Sequence, residues 1–225
     1  MTYTYLDSLN HLGVGGAHPG GLQLTKKLLL REKLDHTKVI LDAGCGTGQT
    51  SAFLKQQYDC KVVAIDRSKI MIEKANKSFS SLNINIEAIQ GNIEQLPFED
   101  RTFDVVLSES VMAFTHIPSS ITQFKNVLKP TGKLIAIEMV TEVPLSDNEM
   151  KEITDFYQFT QLLSDKEWLK KFEDGGFNTV KMERFNLLKE HHKAEDATDF
   201  MLTETMDNLF LVMLEEHQYL TEYYK

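Results

Sequence analysis

Cysteine is scarce in this chain, which has two cysteines in 225 residues. No Cys-x-x-Cys pair occurs, so the two thiols cannot by themselves form a disulfide framework or a four-ligand zinc site. The seven histidines include the pair His191-His192, but none has the spacing to an acid that is typical of a metal site. We therefore expect a protein that holds no metal and works in a reducing compartment, the cytoplasm.

Long apolar runs and an excess of positive charge are also lacking. The chain has no stretch of about 18 apolar residues, and its first residues have neither the basic nor the apolar region of a signal peptide. Lysine and arginine together number 24 against 33 aspartates and glutamates, which gives a net charge of −9. This balance disfavours nucleic acid and membrane surfaces as partners. We expect an acidic protein that acts on a small molecule, with a homodimer left open.

What the chain does have is a regular alternation of short apolar runs with longer amphipathic segments. The predicted strands are Val39 to Leu41, Val62 to Ile65, Ile84 to Ile89, Val105 to Leu107 and Leu134 to Met139. Helices are predicted over Thr50 to Gln57, Lys69 to Phe79 and Ser119 to Leu128, the last followed by a turn at residues 129–132. The alternation predicts a Rossmann-like, doubly wound α/β fold with a mostly parallel sheet and helices on both faces.

The two ends of the chain differ from this central part, although no linker separates them from it. A helix with five leucines between Leu22 and Leu30 precedes the first strand, and Ser164 to Glu167 is a capping box that opens a helix ending at Gly175-Gly176. Residues 177–187 alternate like a strand; residues 194–223 have helical spacing, although Leu209 to Leu214 also fits a strand. We expect one domain in three parts: an N-terminal helical segment (1–36), an α/β core (37–145), and helices and a strand that complete the same domain (146–225).

The sharpest local signal follows the first predicted strand. There Asp42-Ala43-Gly44-Cys45-Gly46-Thr47-Gly48 places three glycines at alternate positions just before a helix. Glycine allows a ligand to approach the backbone closely, and the start of a helix offers free N–H groups. The segment predicts a site for a nucleotide-like ligand.

A dinucleotide site is the obvious alternative, but its spacing is absent. The pattern Gly-x-Gly-x-x-Gly requires glycine at position 49 or 51, where the chain has Gln49 and Ser51. The second strand ends in Asp66, and an acid at that place in a doubly wound sheet can accept hydrogen bonds from both ribose hydroxyls. A nucleoside-containing cofactor other than NAD is therefore favoured.

Together these motifs resemble those of class I S-adenosylmethionine-dependent methyltransferases, in the branch that acts on small molecules. The resemblance covers about residues 39–139 and includes the glycine segment, Val63-Ala64-Ile65-Asp66, Gly91 to Phe98, and Leu128 to Leu134. It implies S-adenosyl-L-methionine as the cofactor and a seven-stranded sheet whose last strand is antiparallel. That last strand has no clear counterpart before Lys225.

The resemblance also implies a set of cofactor-binding residues. The glycine segment would surround the methionine portion, Asp66 would hold the ribose, Asn92 and Ile93 would border the adenine, and Ser108 would lie near the methionine amino group. Relatives often have Asp at the position of Asn92. The complete predicted set is Asp42, Ala43, Gly44, Cys45, Gly46, Gly48, Asp66, Arg67, Met71, Asn92, Ile93 and Ser108.

Residues that act on the methyl acceptor are expected after the fourth strand, because ligands of open α/β sheets bind outside the carboxyl ends of the strands. Glu109 and His116 are the candidate catalytic bases, although a base is needed only for some acceptors.

The segment at residues 17–25 resembles a His-Pro-Gly-Gly lid, which makes His18 a third candidate base and a substrate-binding residue. Tyr5 and Phe114 are the other predicted substrate-binding residues. An aromatic pocket could also include Tyr3, Phe156, Tyr157 and Phe159.

Several acceptor classes are disfavoured. The Asn/Asp-Pro-Pro-Tyr tetrapeptide that accompanies methylation of DNA bases or protein glutamine is replaced by Ser108-Glu109-Ser110-Val111, and neither cysteine is placed as a nucleophile for cytosine. The sequence therefore predicts methyl transfer to a small-molecule O, N or C acceptor by in-line displacement. The alternatives are a catalytically silent S-adenosylmethionine-binding or regulatory protein and an enzyme that transfers another part of the cofactor.

Overall fold

A computed structural model describes residues 20–141 and 144–184 of the chain, together with Tyr5 and His18. None of its described helices is both long enough and apolar enough to cross a membrane. The helices are α1 (Gly21–Leu29), α2 (Gln49–Tyr58), α3 (Lys69–Ser81), α4 (Ile117–Val127), α5 (Asp147–Tyr157) and α6 (Asp165–Asp174), with a 3₁₀ helix at Met112–Phe114. The strands are β1 (Val39–Ala43), β2 (Lys61–Asp66), β3 (Ala88–Gln90), β4 (Phe103–Glu109) and β5 (Leu128–Ile137).

The five strands form one sheet in the order β3-β2-β1-β4-β5, and every neighbouring pair is parallel. Strand β1 lies between β2 and β4, so the chain winds outward from β1 in both directions and leaves a crevice between the carboxyl ends of β1 and β4. The predicted Rossmann-like parallel sheet is confirmed. The described residues contain five parallel strands rather than seven, and residues 209–214, the candidate for a last strand, lie outside them.

Helices cover both faces of the sheet, as the near-continuous apolar strands predict. On one face Leu41 of β1 packs in a cluster with Phe124 of α4. On the other face Ile40 packs with Leu29 of α1 and Leu54 of α2. Because successive residues of a strand point to opposite faces, neighbouring residues of β1 supply both cores.

Two predicted strand starts are wrong by four residues or more. Strand β3 begins only at Ala88, because the side chain of Asn76 in α3 bonds both the N–H (2.8 Å) and the C=O (3.1 Å) of Ala88. Strand β5 begins at Leu128, so the predicted turn at residues 129–132 is a bulge within it, between the pairs Phe103–Leu128 and Val105–Lys133.

The predicted strand at residues 177–187 is not formed over its described part, residues 177–184. Phe177 instead folds back on α6: its N–H donates to the Phe172 C=O at 3.0 Å, and the two rings are in edge contact at 6.2 Å. The capping box that opens α6 is confirmed, since the Ser164 and Glu167 side chains each bond the other's backbone N–H.

Candidate active site

The residues predicted to bind the cofactor lie at one edge of the sheet. Asp42 and the glycine segment follow β1, Asp66 ends β2, Asn92 follows β3, and Ser108 lies near the end of β4. Parallel strands bring their carboxyl ends to the same edge, so residues far apart in the sequence surround the crevice beside β1.

The glycine segment (Gly44 to Gly48) has backbone geometry that favours glycine, with φ of +87° at Gly44, +52° at Gly46 and +80° at Gly48. A Cβ on Gly44 would lie 2.4 Å from a methyl group of Val111, and one on Gly48 would lie 2.5 Å from the ring of Phe79. A Cβ on Gly46 would meet nothing within 4 Å. Two glycines are therefore required by packing inside the protein, whereas Gly46 faces open space in which a ligand can approach the backbone.

Asp66 joins β2 to the glycine segment. One carboxylate oxygen accepts the N–H of Gly46 at 2.9 Å, and the other accepts the N–H of Ser68 at 2.8 Å. Burial raises the pKa of Asp66, although these backbone N–H groups oppose the shift. Each oxygen keeps a lone pair, so the carboxylate can still accept hydrogen bonds from a ligand.

Asp42 is buried behind the glycine segment, with 2% of its surface exposed. Its carboxylate accepts the hydroxyl of Ser51 in α2 at 2.5 Å. Burial, and next the negative charge of Glu109, raise its pKa from the usual 3.8 to about 7. A ligand that brings positive charge here would lower this pKa again.

Glu109, at the end of β4, is the centre of a buried polar cluster. It accepts hydrogen bonds from the hydroxyls of Thr25 in α1 and Thr50 in α2, the latter at 2.8 Å, and its Oε1 lies 3.4 Å from Nε2 of His18. The structure thus brings two of the predicted acceptor-site residues, Glu109 and His18, into contact. It also shows Glu109 fixing α1 beside the helix that follows the glycine segment.

His116, the other candidate base, has a different setting. It is exposed at the start of α4, and its Nδ1 lies 2.7 Å from the hydroxyl of Ser119. No direct hydrogen bond among the described residues links it to Glu109. The two candidate bases are therefore separate groups, and the structure does not assign either a chemical step.

The remaining predicted cofactor residues have varied surroundings. Ser108 has no exposed surface, and its hydroxyl oxygen has no hydrogen-bond partner among the described residues. The Asn92 side chain accepts the N–H of Glu94 at 3.0 Å, and Ile93 is buried beside it. Cys45 is buried and burial raises the pKa of its thiol, which makes it a poor nucleophile. Arg67 is exposed.

Beyond β5, aromatic side chains gather into a cluster around the 3₁₀ helix. The rings of Tyr5 and Tyr157 are in edge contact at 4.9 Å, those of Tyr157 and Phe159 stack at 5.1 Å, and Phe159 contacts Phe114 at 4.9 Å. Phe156 completes this aromatic cluster. The structure brings together five of the aromatic residues predicted to form a pocket, and Tyr3 lies outside the described residues.

Sequence reasoning missed four polar residues of this region. Thr25 sits on the buried face of a leucine-rich helix, and Thr50 and Ser51 open α2; only their positions relative to the sheet reveal their partners. Glu138 directly follows β5, and its Oε2 is buried with no hydrogen-bond partner among the described residues. An acid after a run of apolar residues, Leu134 to Ile137, was the available signal for it. Within the described residues, no group of three His, Cys, Asp or Glu is arranged to hold a metal ion.

Comparison with known proteins identifies the family. A family model described as "Methyltransferase domain" matches residues 34–176. The "uncharacterized methyltransferase YodH" of Bacillus subtilis is 41% identical over 220 residues, which cover 98% of this chain and 93% of that protein. The chain belongs to the methyltransferase family. This methyltransferase is similar in fold to two solved structures whose sequences are each 20% identical to it.

One of these structures is Haemonchus contortus phosphoethanolamine N-methyltransferase 2 in complex with S-adenosyl-L-methionine; the TM-score is 0.78, over 98% of this chain and 55% of that one. The other is the [4+2]-cyclase SpnF, with a TM-score of 0.71 over 95% of this chain and 79% of that one. S-adenosylmethionine is the cofactor bound in the first of these structures. The residues present fit that cofactor, because the open side of Gly46, the lone pairs of Asp66 and the unpartnered hydroxyl of Ser108 all lie at the edge where it would bind.

Proposed function

We propose that this methyltransferase transfers the methyl group of S-adenosylmethionine to a small-molecule oxygen, nitrogen or carbon acceptor by in-line displacement. The observation that carries the proposal is the arrangement of Gly46, Asp66 and Asp42 at the crevice beside β1. There an open stretch of backbone faces a ligand, and carboxylates offer both hydrogen-bond acceptors and negative charge.

The bound cofactor would supply an electrophilic methyl group on a positively charged sulfur. In this proposal Asp66 holds the ribose hydroxyls, and Asn92 and Ile93 border the adenine. Asp42 places negative charge near the methionine portion, and the hydroxyl of Ser108 is available to its amino group. Arg67, Met71 and the rest of the predicted set contribute backbone and apolar contacts.

Residues 1–36 are proposed to form a lid over this crevice. Support comes from α1, which is fixed to Glu109 by the Thr25 hydroxyl, and from His18, which reaches the same carboxylate. A lid held in this way would exclude water and orient the acceptor. In the same proposal, residues 37–145 bind the cofactor, and residues 146–225 complete the domain and the acceptor pocket.

Positioning of the acceptor, rather than proton removal by Glu109 or His116, is proposed as the main contribution to rate. Glu109 is already engaged with two threonine hydroxyls, and His116 is exposed and bonded to Ser119. Holding two reactants in line contributes on the order of 7–11 kcal/mol to lowering a barrier, whereas a general base contributes about 100- to 10,000-fold in rate.

Ligand-dependent unfolding tests the cofactor assignment. A ligand at 100 times its dissociation constant stabilises a protein by about 2.7 kcal/mol, which corresponds to roughly 5–11 °C in a domain of this size. S-adenosylmethionine and S-adenosylhomocysteine should each raise the unfolding midpoint, and NAD should not. Absence of a shift with both sulfur ligands would contradict the proposal.

Product formation then separates the enzyme from a silent binding protein. The full chain is incubated with S-adenosylmethionine and with paired libraries of amines, alcohols and carbon acids, and S-adenosylhomocysteine is measured. Release that depends on one acceptor class supports methyl transfer to that class. The structural neighbour SpnF is named a [4+2]-cyclase, so the fold alone does not determine the reaction. Cofactor binding without turnover of any acceptor would favour the catalytically silent alternative.

A further inference from the structure

The carboxylate of Glu138 is buried, and one of its two oxygens has no hydrogen-bond partner among the described residues. It follows β5, and its Oε1 accepts the backbone N–H groups of Met112 at 3.1 Å and Val111 at 3.3 Å. Its Oε2 has no exposed surface and no hydrogen-bond partner among the described residues. Burial of a carboxylate oxygen without a hydrogen-bond donor costs free energy. We therefore expect a donor for Oε2 from outside the described residues.

The position of Glu138 places that donor between the cofactor crevice and the aromatic cluster. Val111, whose N–H bonds Glu138, packs its methyl groups against Gly44 of the glycine segment. The 3₁₀ helix that begins at Met112 carries Ala113 and Phe114 into the aromatic cluster, which Met139 also joins. A molecule that reaches Oε2 would thus lie near both the methionine end of the crevice and a set of aromatic rings.

The described groups that shift the pKa of Glu138 include no positively charged side chain. Burial raises its pKa to about 8, against the opposing effect of the N–H groups of Val111, Met112 and Ala113. The titratable groups of the adjoining cluster are the phenols of Tyr5 and Tyr157, whose pKa values burial raises, Tyr5 to about 12, so they stay neutral. Glu109 on the neighbouring strand is bonded to α1 and α2.

We propose that Glu138 is a binding residue for the methyl acceptor and that this acceptor is an amine that enters the site as a cation. The nitrogen becomes a nucleophile when one of its N–H protons passes to Oε2 of Glu138. The new N–C bond then forms as the bond between the methyl carbon and the sulfur of S-adenosylmethionine breaks, and S-adenosylhomocysteine leaves. An ammonium group supplies both things that Oε2 lacks, a hydrogen-bond donor and a positive charge. Aromatic faces also attract cations, and an acidic acceptor would be repelled. A neutral alcohol would supply the donor alone. The inference rests on the proposed function and names its acceptor class.

Matched amine and alcohol probes test the inference in the full chain saturated with S-adenosylhomocysteine. Phenethylamine is compared with 2-phenylethanol, and ethanolamine with ethylene glycol, by calorimetric titration at pH 8.5. At least one amine should bind ten times more tightly than its alcohol. Glu138→Gln should weaken that amine at least tenfold and change the alcohol less than threefold. Glu99→Gln, which removes the same charge from an exposed position, should change neither.

The pH dependence of probe binding is a second readout. Phenethylamine stays protonated up to pH 8.5, so its affinity for the wild-type chain should rise between pH 6.5 and 8.5 as Glu138 ionises. The affinity for Glu138→Gln should stay flat. The inference is overturned if no amine binds better than its alcohol, if Glu138→Gln weakens both probes equally, or if amine affinity is independent of pH in the wild type.

Binding of S-adenosylhomocysteine separates this inference from the proposed function. If the wild-type chain binds that ligand but shows no amine preference, only the acceptor class is wrong. If it binds neither, the proposed function has failed. If Glu138→Gln does not fold, as judged by loss of S-adenosylhomocysteine binding, the wild-type comparison of amine with alcohol and its pH dependence decide the matter alone.

Discussion

Asp66 combines two tasks at the level of a single residue, because its carboxylate both fixes the glycine segment and keeps lone pairs for a ribose. Asp66→Ala should therefore lower the affinity for S-adenosylhomocysteine more than tenfold while the chain stays folded, since hydrogen bonds to a charged group contribute about 1.5–3 kcal/mol. Calorimetric titration measures the affinity, and circular dichroism checks the fold. Asp100→Ala, at an exposed position before β4, is the matched control. Equal affinity in the wild type and in Asp66→Ala would show that the ribose is held by other groups.

Glu109 and His116 allow a residue-level choice between base and positioning group. If one is the base, Glu109→Gln or His116→Asn should lower turnover about 100-fold or more and remove the acidic limb of the pH profile, with cofactor affinity unchanged. We expect the other outcome. Glu109→Gln should chiefly weaken acceptor affinity, because it disturbs the contacts with Thr25 and His18, and His116→Asn should keep most of its turnover. Loss of the acidic limb in either variant would refute this expectation.

Helix α1 is joined to the end of β4 by a buried polar contact. The Thr25 hydroxyl has no exposed surface and donates to Glu109, across 84 positions of sequence. Thr25→Val keeps the shape and removes the donor, so it should destabilise the protein by about 1.5–3 kcal/mol and speed amide hydrogen exchange in α1. Denaturant unfolding and exchange mass spectrometry measure the two effects.

Thr25→Ser restores the hydroxyl and serves as the control for the tether. It should recover most of the stability and the slow exchange of α1. Fast exchange in Thr25→Ser as well would mean that the hydrogen bond alone does not hold the helix and that packing of the methyl group is also needed. Unchanged exchange in Thr25→Val would show that Glu109 does not fix α1.

Elements with a local signal could be predicted from the sequence, and elements defined by distant partners could not. Glycine spacing predicts the glycine segment, and apolar runs predict the strands β1, β2 and β4. In the structure these strands lie close to the expected residues. The start of β3 depends on a side chain of α3, Asn76, which no pattern in residues 84–89 reveals. Residues 177–184 alternate in the sequence as a strand would. In the structure they form no strand, and Phe177 contacts Phe172 of α6, a partner that the alternation does not reveal.

The candidate site shows the same division. Asp42, Asp66 and Ser108 could be predicted because a parallel sheet brings strand ends to one edge. The clustering of Tyr5 with Phe156 and Tyr157 could be expected only from composition, since their contacts join an N-terminal residue to α5. Glu138 was missed because its importance comes from an unpartnered oxygen, which is a property of packing and not of sequence.

At the scale of the whole molecule, the acids fall into two groups with opposite effects on stability. Acids near the surface such as Glu149, Asp165 and Glu167 have pKa values lowered chiefly by side-chain hydrogen bonds, so their contribution to stability is lost only when the pH falls through those lowered values. The carboxylates of Asp42 and Glu138 are buried at the candidate site and have raised pKa values. The folded protein therefore carries a cost at neutral pH that is concentrated at this candidate site.

This arrangement predicts how the stability of the ligand-free chain changes with pH. Because the pKa of Asp42 is raised from 3.8 to about 7 and that of Glu138 from 4.5 to about 8, the folded state binds more protons than the unfolded state between about pH 4 and 8. The free energy of unfolding should then fall as the pH rises through that range, by up to about 1.4 kcal/mol per pH unit for each group. Urea unfolding at pH 5, 6, 7 and 8 measures the slope.

Neutral variants assign that slope to its groups. Asp42→Asn keeps an acceptor for the Ser51 hydroxyl and should flatten the profile between pH 5 and 7, whereas Glu138→Gln should flatten it up to pH 8. Glu99→Gln, at an exposed position, should leave the wild-type slope unchanged. Both site variants should then be more stable than the wild type at pH 8, since each removes a charge whose burial is costly. A wild-type slope that persists in Asp42→Asn and Glu138→Gln would mean that other titrating groups produce it.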